Sequence, residues 1–120
     1  MRAKAYRALI VEHVHRPRCR GRLASPTHSA TARSPVCGDW IHATVDVRDG
    51  QVADLRFEGE GCAISQGVAS LCSAPIVGMP VSEVLALDGG WIESQLGDEL
   101  SAGRRGCAEL HLRALRSALS

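Results

Sequence analysis

Three cysteines and one aspartate are the residues of this chain whose types and placement suggest chemistry. Cys37 and Asp39 stand one glycine apart in PVCGDWIHATV (35–45), Cys62 lies in GEGCAIS (59–65), and Cys107 lies in RRGCAEL (104–110). Each falls on an expected turn, just before a strand or a helix. The thiolate is the form of cysteine that binds metal or attacks another sulfur. The unpaired N–H groups and the dipole of a helix N-terminus favour that anion, and Cys62 and Cys107 are each expected to open a helix. Three thiolates with one carboxylate make a four-ligand tetrahedral zinc site. Three thiolates around an open position also suit a growing iron–sulfur cluster. No two of these cysteines form a CxxC pair, so from the residues alone buried structural cysteines stand as the competing reading.

Elements distant in sequence must bring these side chains together. Tyr6, Leu9, Ile10, His13 and Val14 recur at helical spacing, which predicts an amphipathic helix over about Ala3–His15 that ends at Pro17. Arg18–Ser34 is rich in Ser, Thr, Pro and Gly and reads as a mobile loop. Ile41, Ala43, Val45 and Val47 alternate with polar residues, and so do Ala53, Leu55 and Phe57 in Gln51–Glu58. These predict two antiparallel strands around Asp49-Gly50. A three-residue loop, Arg48-Asp49-Gly50, would pair Val45 with Ala53 and Ala43 with Leu55, so that both apolar faces agree; a two-residue loop would invert one of them. That hairpin sets residue 41 near residue 57 and brings Cys37 close to Cys62. Gly38, Gly59, Gly61 and Gly106 would let backbone approach backbone.

Helices are expected from Ala63 (kinked or ended by Pro75), over Val81–Leu87, over Trp91–Leu100, and from about Cys107 to the end. The order of elements predicts an α+β fold. In it, helices pack on one face of a small antiparallel sheet, three-stranded in all.

The 120 residues suit one domain, and 45% hydrophobic content suffices for one core. No apolar run is long enough to cross a bilayer. The absence of a secretory pattern leads to an expected cytoplasmic location, where five cysteines read as thiols or ligands rather than as a disulfide framework. Charge is unevenly spread. Residues 1–36 hold eight Lys/Arg against one acid, residues 37–103 two against eleven, and residues 104–120 four against one. Either the basic ends fold back on an acidic body, or they form a surface for an acidic partner, or they are ordinary solvated charge. Few aromatics and an acidic centre argue against a nucleic-acid surface.

CGD before a strand, FEGEGCAIS, and an Arg three residues before the last cysteine together resemble the NifU/IscU/SufU family of iron–sulfur cluster assembly proteins. YRALIVEHVHRPRCRGRL is similar to that family's opening helix and its exit. The resemblance runs from about Tyr6 to Leu115. It implies a SufE/NifU-like fold, with Cys37, Asp39, Cys62 and Cys107 as ligands of zinc or of a [2Fe–2S] cluster, and Arg104 beside the site. It implies as partners a pyridoxal-phosphate cysteine desulfurase and apo iron–sulfur acceptor proteins, with neither nucleic acid nor membrane among them. Such a chain is a scaffold or a sulfur-transfer partner more than an enzyme.

Two branches of the family differ in role. IscU-like scaffolds hold a nascent cluster and place a His before the third Cys, where this chain has Gly106. They also carry a Leu-Pro-Pro-Val-Lys motif that ELSAGRRGC lacks. SufU-like members bind zinc and accept persulfide sulfur, for which Cys107 is the expected acceptor, but they insert extra residues before that Cys. Only 44 residues (63–106) separate Cys62 from Cys107 here. The ligand flank favours SufU and the length favours IscU; a degenerate structural zinc protein is the third reading. Cys72 and Cys19 are expected to carry no role. His13 is expected to be packed in the first helix. His15, His28 and His111 are expected in solvent, although His111 falls one turn after Cys107. His42 faces away from the apolar side of its strand.

Overall fold

A computed structural model describes residues 2–35 and 38–120, with side chains from Arg7 onward; Met1, Val36 and Cys37 lie outside the described residues. In chain order the elements are α1 (Arg2–His15), β1 (His28–Arg33), β2 (Trp40–Arg48), β3 (Gln51–Glu60), α2 (Ala63–Ile76), α3 (Val81–Leu85), α4 (Gly89–Leu96), α5 (Ala102–Ala108) and α6 (Leu110–Leu119). The strands form one antiparallel sheet in the order β1-β2-β3. The α+β architecture is the one expected.

The central hairpin closes differently from the expectation. Arg48 pairs with Gln51, so the turn is the two-residue Asp49-Gly50. Both turn residues have positive φ, 53° and 75°, as a type I′ turn requires, and Asp followed by Gly tolerates that conformation best. The apolar faces are reconciled by a bulge instead of a longer loop. Val47 pairs with Val52, but Asp46 pairs with Asp54, so Ala53 is extruded and exposed. One extra residue restores the face that the two-residue turn alone would have inverted. Beyond it Val45 pairs with Leu55 and Ala43 with Phe57, all four buried. The register therefore runs two residues beyond the expected one and sets Ile41 opposite Gly59, where the expected pairing set it opposite Phe57.

Residues 18–34, expected as a loop, contain β1. It pairs along β2 from His28 with Val45 to Arg33 with Trp40. In HSATAR only the two small residues Ala30 and Ala32 alternate with polar ones, too little apolar bulk to mark a strand, and only Ala32 is buried. The unpaired edge of β2 supplies the hydrogen-bond partners that its composition did not announce. The chain just before it ties down β3: Phe57 N donates to Cys19 O at 2.9 Å and Gly21 N donates to Phe57 O at 2.7 Å. Leu23 N then donates to the buried Thr44 Oγ1 at 3.0 Å on the face away from the helices.

The core lies between the other face of the sheet (Ile41, Ala43, Val45, Leu55, Phe57) and α2 and α6, which contribute Val68, Cys72, Ile76, Leu112 and Leu115. Pro75 falls in the last turn of α2 and ends it at Ile76 without breaking it earlier. Asp88 caps α4 by accepting from Trp91 N at 3.0 Å. Gly97, at φ 77°, closes that helix four residues before the predicted end at Leu100. The C-terminal region is two helices meeting at Glu109, not one starting at Cys107. The basic ends fold back in part, since Arg22 pairs with Glu58, and Arg105 with Glu93 at 3.4 Å. Among the described residues no helix is long and apolar enough to cross a membrane.

His111 departs from its expected solvent position. It is buried, with Nε2 3.3 Å from Ser73 Oγ and its ring edge-on to Phe57 at 5.7 Å. Its Nδ1 has no hydrogen-bond partner among the described residues. Burial pulls the imidazole down to about 4 from 6.5. The folded state therefore holds the neutral ring, while the unfolded chain takes up a proton below about pH 6.5. Stability owed to this difference is fully present above pH 6.5 and is lost as pH falls towards 4, a loss of about 3 kcal/mol. Urea melts across that window should show this slope in the native chain and a flatter one in His111→Leu.

Candidate metal centre

The shifted register decides which residue meets the start of α2. Trp40 pairs with Glu60, so Asp39 comes level with Gly61 and Cys62 follows directly. Asp39 is buried. Its Oδ2 accepts the Cys62 N–H at 3.0 Å and lies 3.1 Å from Ser65 Oγ. Ser65 Oγ is also 3.0 Å from Cys62 O, so its single proton serves one acceptor at a time. Ser34 N donates to Asp39 O at 2.8 Å and ties the exit of β1 to the entry of β2.

Gly61 makes this approach sterically feasible. A Cβ there would lie 2.4 Å from Asp39 Cγ, and its φ of 153° is one that other residues rarely adopt. Gly59 is similarly crowded, by Trp40 O; Gly106 has open space around it, and Gly38 has open space but a left-handed φ of 73° that favours glycine.

Cys62 is the N-cap residue of the 14-residue α2, and its side chain makes no cap bond. Its sulfur is exposed and stands at the positive end of that helix dipole. The same situation, expected for Cys107, is not found there. Cys107 lies in the last turn of α5, a helix of seven residues, so no N-terminal dipole favours its thiolate. The convergence itself holds. One ligand atom each from Asp39, Cys62 and Cys107 lie within 4.8 Å of one another. Bonds of about 2.3 Å in a tetrahedron put thiolate ligands about 3.8 Å apart. The two sulfurs and the carboxylate thus sit within about an ångström of that shell, and a borderline-soft ion such as zinc suits the donor set. Cys37, the fourth expected ligand, lies outside the described residues.

Arg104 stands one helical turn before Cys107, exposed. With Arg7, Ile10, Val11, Ala63 and Ile64 it lines a hollow of about 240 Å³ that borders Cys62 through Ala63. The histidines take no part in the cluster. His42 Nδ1 is 2.7 Å from Thr31 Oγ1 across the β1–β2 pair, and His13 Nδ1 is 2.7 Å from Ser70 Oγ. Burial, then the Arg18 charge, lowers the pKa of His13. Cys72 is buried and its thiol is pushed up to about 12, which keeps it protonated; burial also raises Cys19. Ser65 is the site residue that sequence reasoning missed. Its signal was its place three residues after the helix-opening Cys62, the position from which a polar side chain can reach back to the helix start.

Gly61→Ala should displace Asp39 and separate the donor atoms. Denaturant titration should show a loss of about 1–3 kcal/mol, and zinc titration of the purified variant should show weakened binding. Unchanged zinc affinity would mean that the contact between Gly61 and Asp39 does not hold the site together.

Comparison with known proteins gives a consistent picture. The NifU-like N terminal domain matches residues 5–120. The iron-sulfur cluster assembly scaffold protein IscU of Thermotoga maritima is 38% identical over 82 residues, 68% of this chain and 58% of that protein. The zinc-dependent sulfurtransferase SufU of Bacillus subtilis is 33% identical over 94 residues, 78% of this chain and 63% of that protein. The aligned part is thus less than two thirds of either relative's length. Among solved structures, the N-terminal part of a nitrogen-fixing NifU-like protein from Brucella abortus superposes with a TM-score of 0.77 at 21% identity, covering 99% of this chain and 95% of that one. That likeness bears on the fold alone.

Proposed function

The chain belongs to the NifU-like N-terminal domain family, and on that footing we propose that it is an iron–sulfur cluster assembly protein, residues 1–120 acting as one domain. The observation that carries this reading is the meeting of Asp39, Cys62 and Cys107 within 4.8 Å from three separate parts of the chain. Cys37, two residues before Asp39, would complete a four-ligand set. A zinc ion in this site would hold the thiols deprotonated and oriented.

The finer reading is SufU-like acceptance of sulfur from the persulfide of a pyridoxal-phosphate cysteine desulfurase. Cys107 is the acceptor. Its thiolate attacks the outer sulfur of the donor persulfide; a Cys107 S–S bond forms, the donor S–S bond breaks, and the donor cysteine leaves as thiolate. Residues 101–106 are exposed throughout, so α5 can present Cys107 to a partner. Arg104, one turn away, offers its positive charge to the anionic persulfide. Cys62 and Asp39 sit on the firmly packed side and stay in place. The chain works as a transfer partner in the cytoplasm, handing sulfur on to apo acceptor proteins.

The IscU-like alternative uses the same residues to collect iron and sulfide into a labile [2Fe–2S] cargo. The short 63–106 segment favours it, whereas Gly106 in place of a histidine favours the sulfur-accepting role. In the cargo version Asp39 is the hard ligand whose release lets the cluster move on.

Metal analysis of the full chain purified without oxygen decides between these readings. Zinc alone, about one per chain, supports sulfur transfer; iron with acid-labile sulfide supports the scaffold; zinc that survives with no sulfur uptake marks a structural zinc protein; neither metal overturns the site. For the scaffold reading, Asp39→Ala should lengthen the life of a reconstituted cluster and slow its transfer to an apo acceptor, at a cost of about 1 kcal/mol in helix capping. An unchanged transfer rate would remove Asp39 from that role.

A further inference from the structure

The two described sulfurs of the site are close to each other as well as to Asp39, and this points to a second step. Resting on the sulfur-accepting reading above, we propose that Cys62 is a resolving cysteine, whose thiolate displaces hydrosulfide from a persulfide on Cys107 and so releases sulfide inside the site.

The geometry supports attack at the correct atom. In a Cys107 persulfide the inner sulfur is the Sγ that lies within 4.8 Å of the Cys62 Sγ. Attack there on the protonated persulfide forms a Cys62–Cys107 disulfide and breaks the bond to the outer sulfur, which departs as hydrosulfide and keeps the proton it already carried. The two electrons that reduce the outer sulfur come from the two cysteines, so the step balances without an external reductant. Hydrosulfide is a good leaving group because its conjugate acid is more acidic than an ordinary thiol. Closing to a disulfide requires the sulfurs to approach to about 2.05 Å. α5, exposed over residues 102–106, is the element that would have to make that movement. A dithiol reductant would reopen the bridge before another round.

The other described thiols are unsuited to the task. Cys72 is buried within the core, and burial keeps it protonated. Cys19 lies against the far edge of β3, where its carbonyl accepts from Phe57 N, outside the converging group. Cys62, by contrast, is exposed and sits at the positive end of α2, where negative charge on sulfur is favoured.

The test uses the full chain, reduced and kept metal-free with a chelator, then loaded with cysteine persulfide. Released sulfide, intact mass and the bridged peptides are followed together. The expected result is one hydrosulfide per loaded chain, with the persulfide form losing the mass of one hydrogen sulfide and a Cys62–Cys107 peptide appearing. In Cys62→Ser the Cys107 persulfide should persist about tenfold longer or more, without a bridge. In Cys19→Ser, which lies outside the converging group, release should continue. A wild-type persulfide that lasts as long as that of Cys62→Ser overturns the inference while leaving sulfur acceptance intact; so does a bridge that maps to Cys37. Failure to load Cys107 both in the metal-free chain and in the chain as purified overturns sulfur acceptance and the inference with it. As a control that needs no persulfide, diamide treatment of the reduced chain should form the same Cys62–Cys107 bridge; its absence would show that the sulfurs do not close and would overturn the inference independently.

Discussion

One buried carboxylate holds the site together. Asp39 lies where a β-strand begins, yet its Oδ2 serves the backbone N–H and a hydroxyl at the start of a helix 23 residues further on. A buried charge is tolerable only when it is compensated by donors or a cation. Here the donors come from Cys62 and Ser65, so the same contact that stabilises Asp39 also fixes where the Cys62 sulfur emerges. The contact exists only because Gly61 leaves its Cβ volume empty. Remove any one of these conditions and the donor atoms part.

That contact depends in turn on events at the far end of the hairpin. A type I′ turn alone would have put Asp39 on the wrong side of its partner strand. The extrusion of Ala53 adds the residue that corrects the face and advances the register. Strand pairing then transmits this choice along the hairpin, because neighbouring strands hold a fixed alternation once hydrogen bonded. The chemistry at Asp39 is therefore set by a bulge seven pairs away.

The two halves of the site differ in how firmly they are held. Cys62 opens a helix whose inner residues (Val68, Ala69, Cys72, Ile76) are fully enclosed, and Asp39 is anchored at both its carboxylate and its carbonyl. Cys107 rides on a short helix that is exposed from Ala102 to Gly106, with only Ala108 buried beyond it. Two firmly placed donor groups therefore face a third on a more exposed element, and local opening is least costly where few apolar contacts are lost.

Much of this was legible in the order of residues. The glycine-flanked Cys and Asp positions, the alternating β2, the Asp-Gly turn and the helical spacing of α1 and α2 follow from local chemistry, because propensity and periodicity act over a few neighbours. β1 was not legible, since HSATAR alternates only two alanines with polar residues and becomes a strand by pairing with the open edge of β2. The break at Glu109 and the burial of His111 were hidden for a related reason: Leu110, Leu112, Leu115 and Leu119 are all buried, and packing against β1 and β2 from that position took His111 inward with them. The sequence by itself determined which groups were available to bind metal and sulfur, and the local elements that carry most of them. Only tertiary structure decided that Asp39 would meet Gly61 and that Cys62 and Cys107 would stand within reach of each other, because register, bulge and helix docking are settled by contacts between residues far apart in the chain.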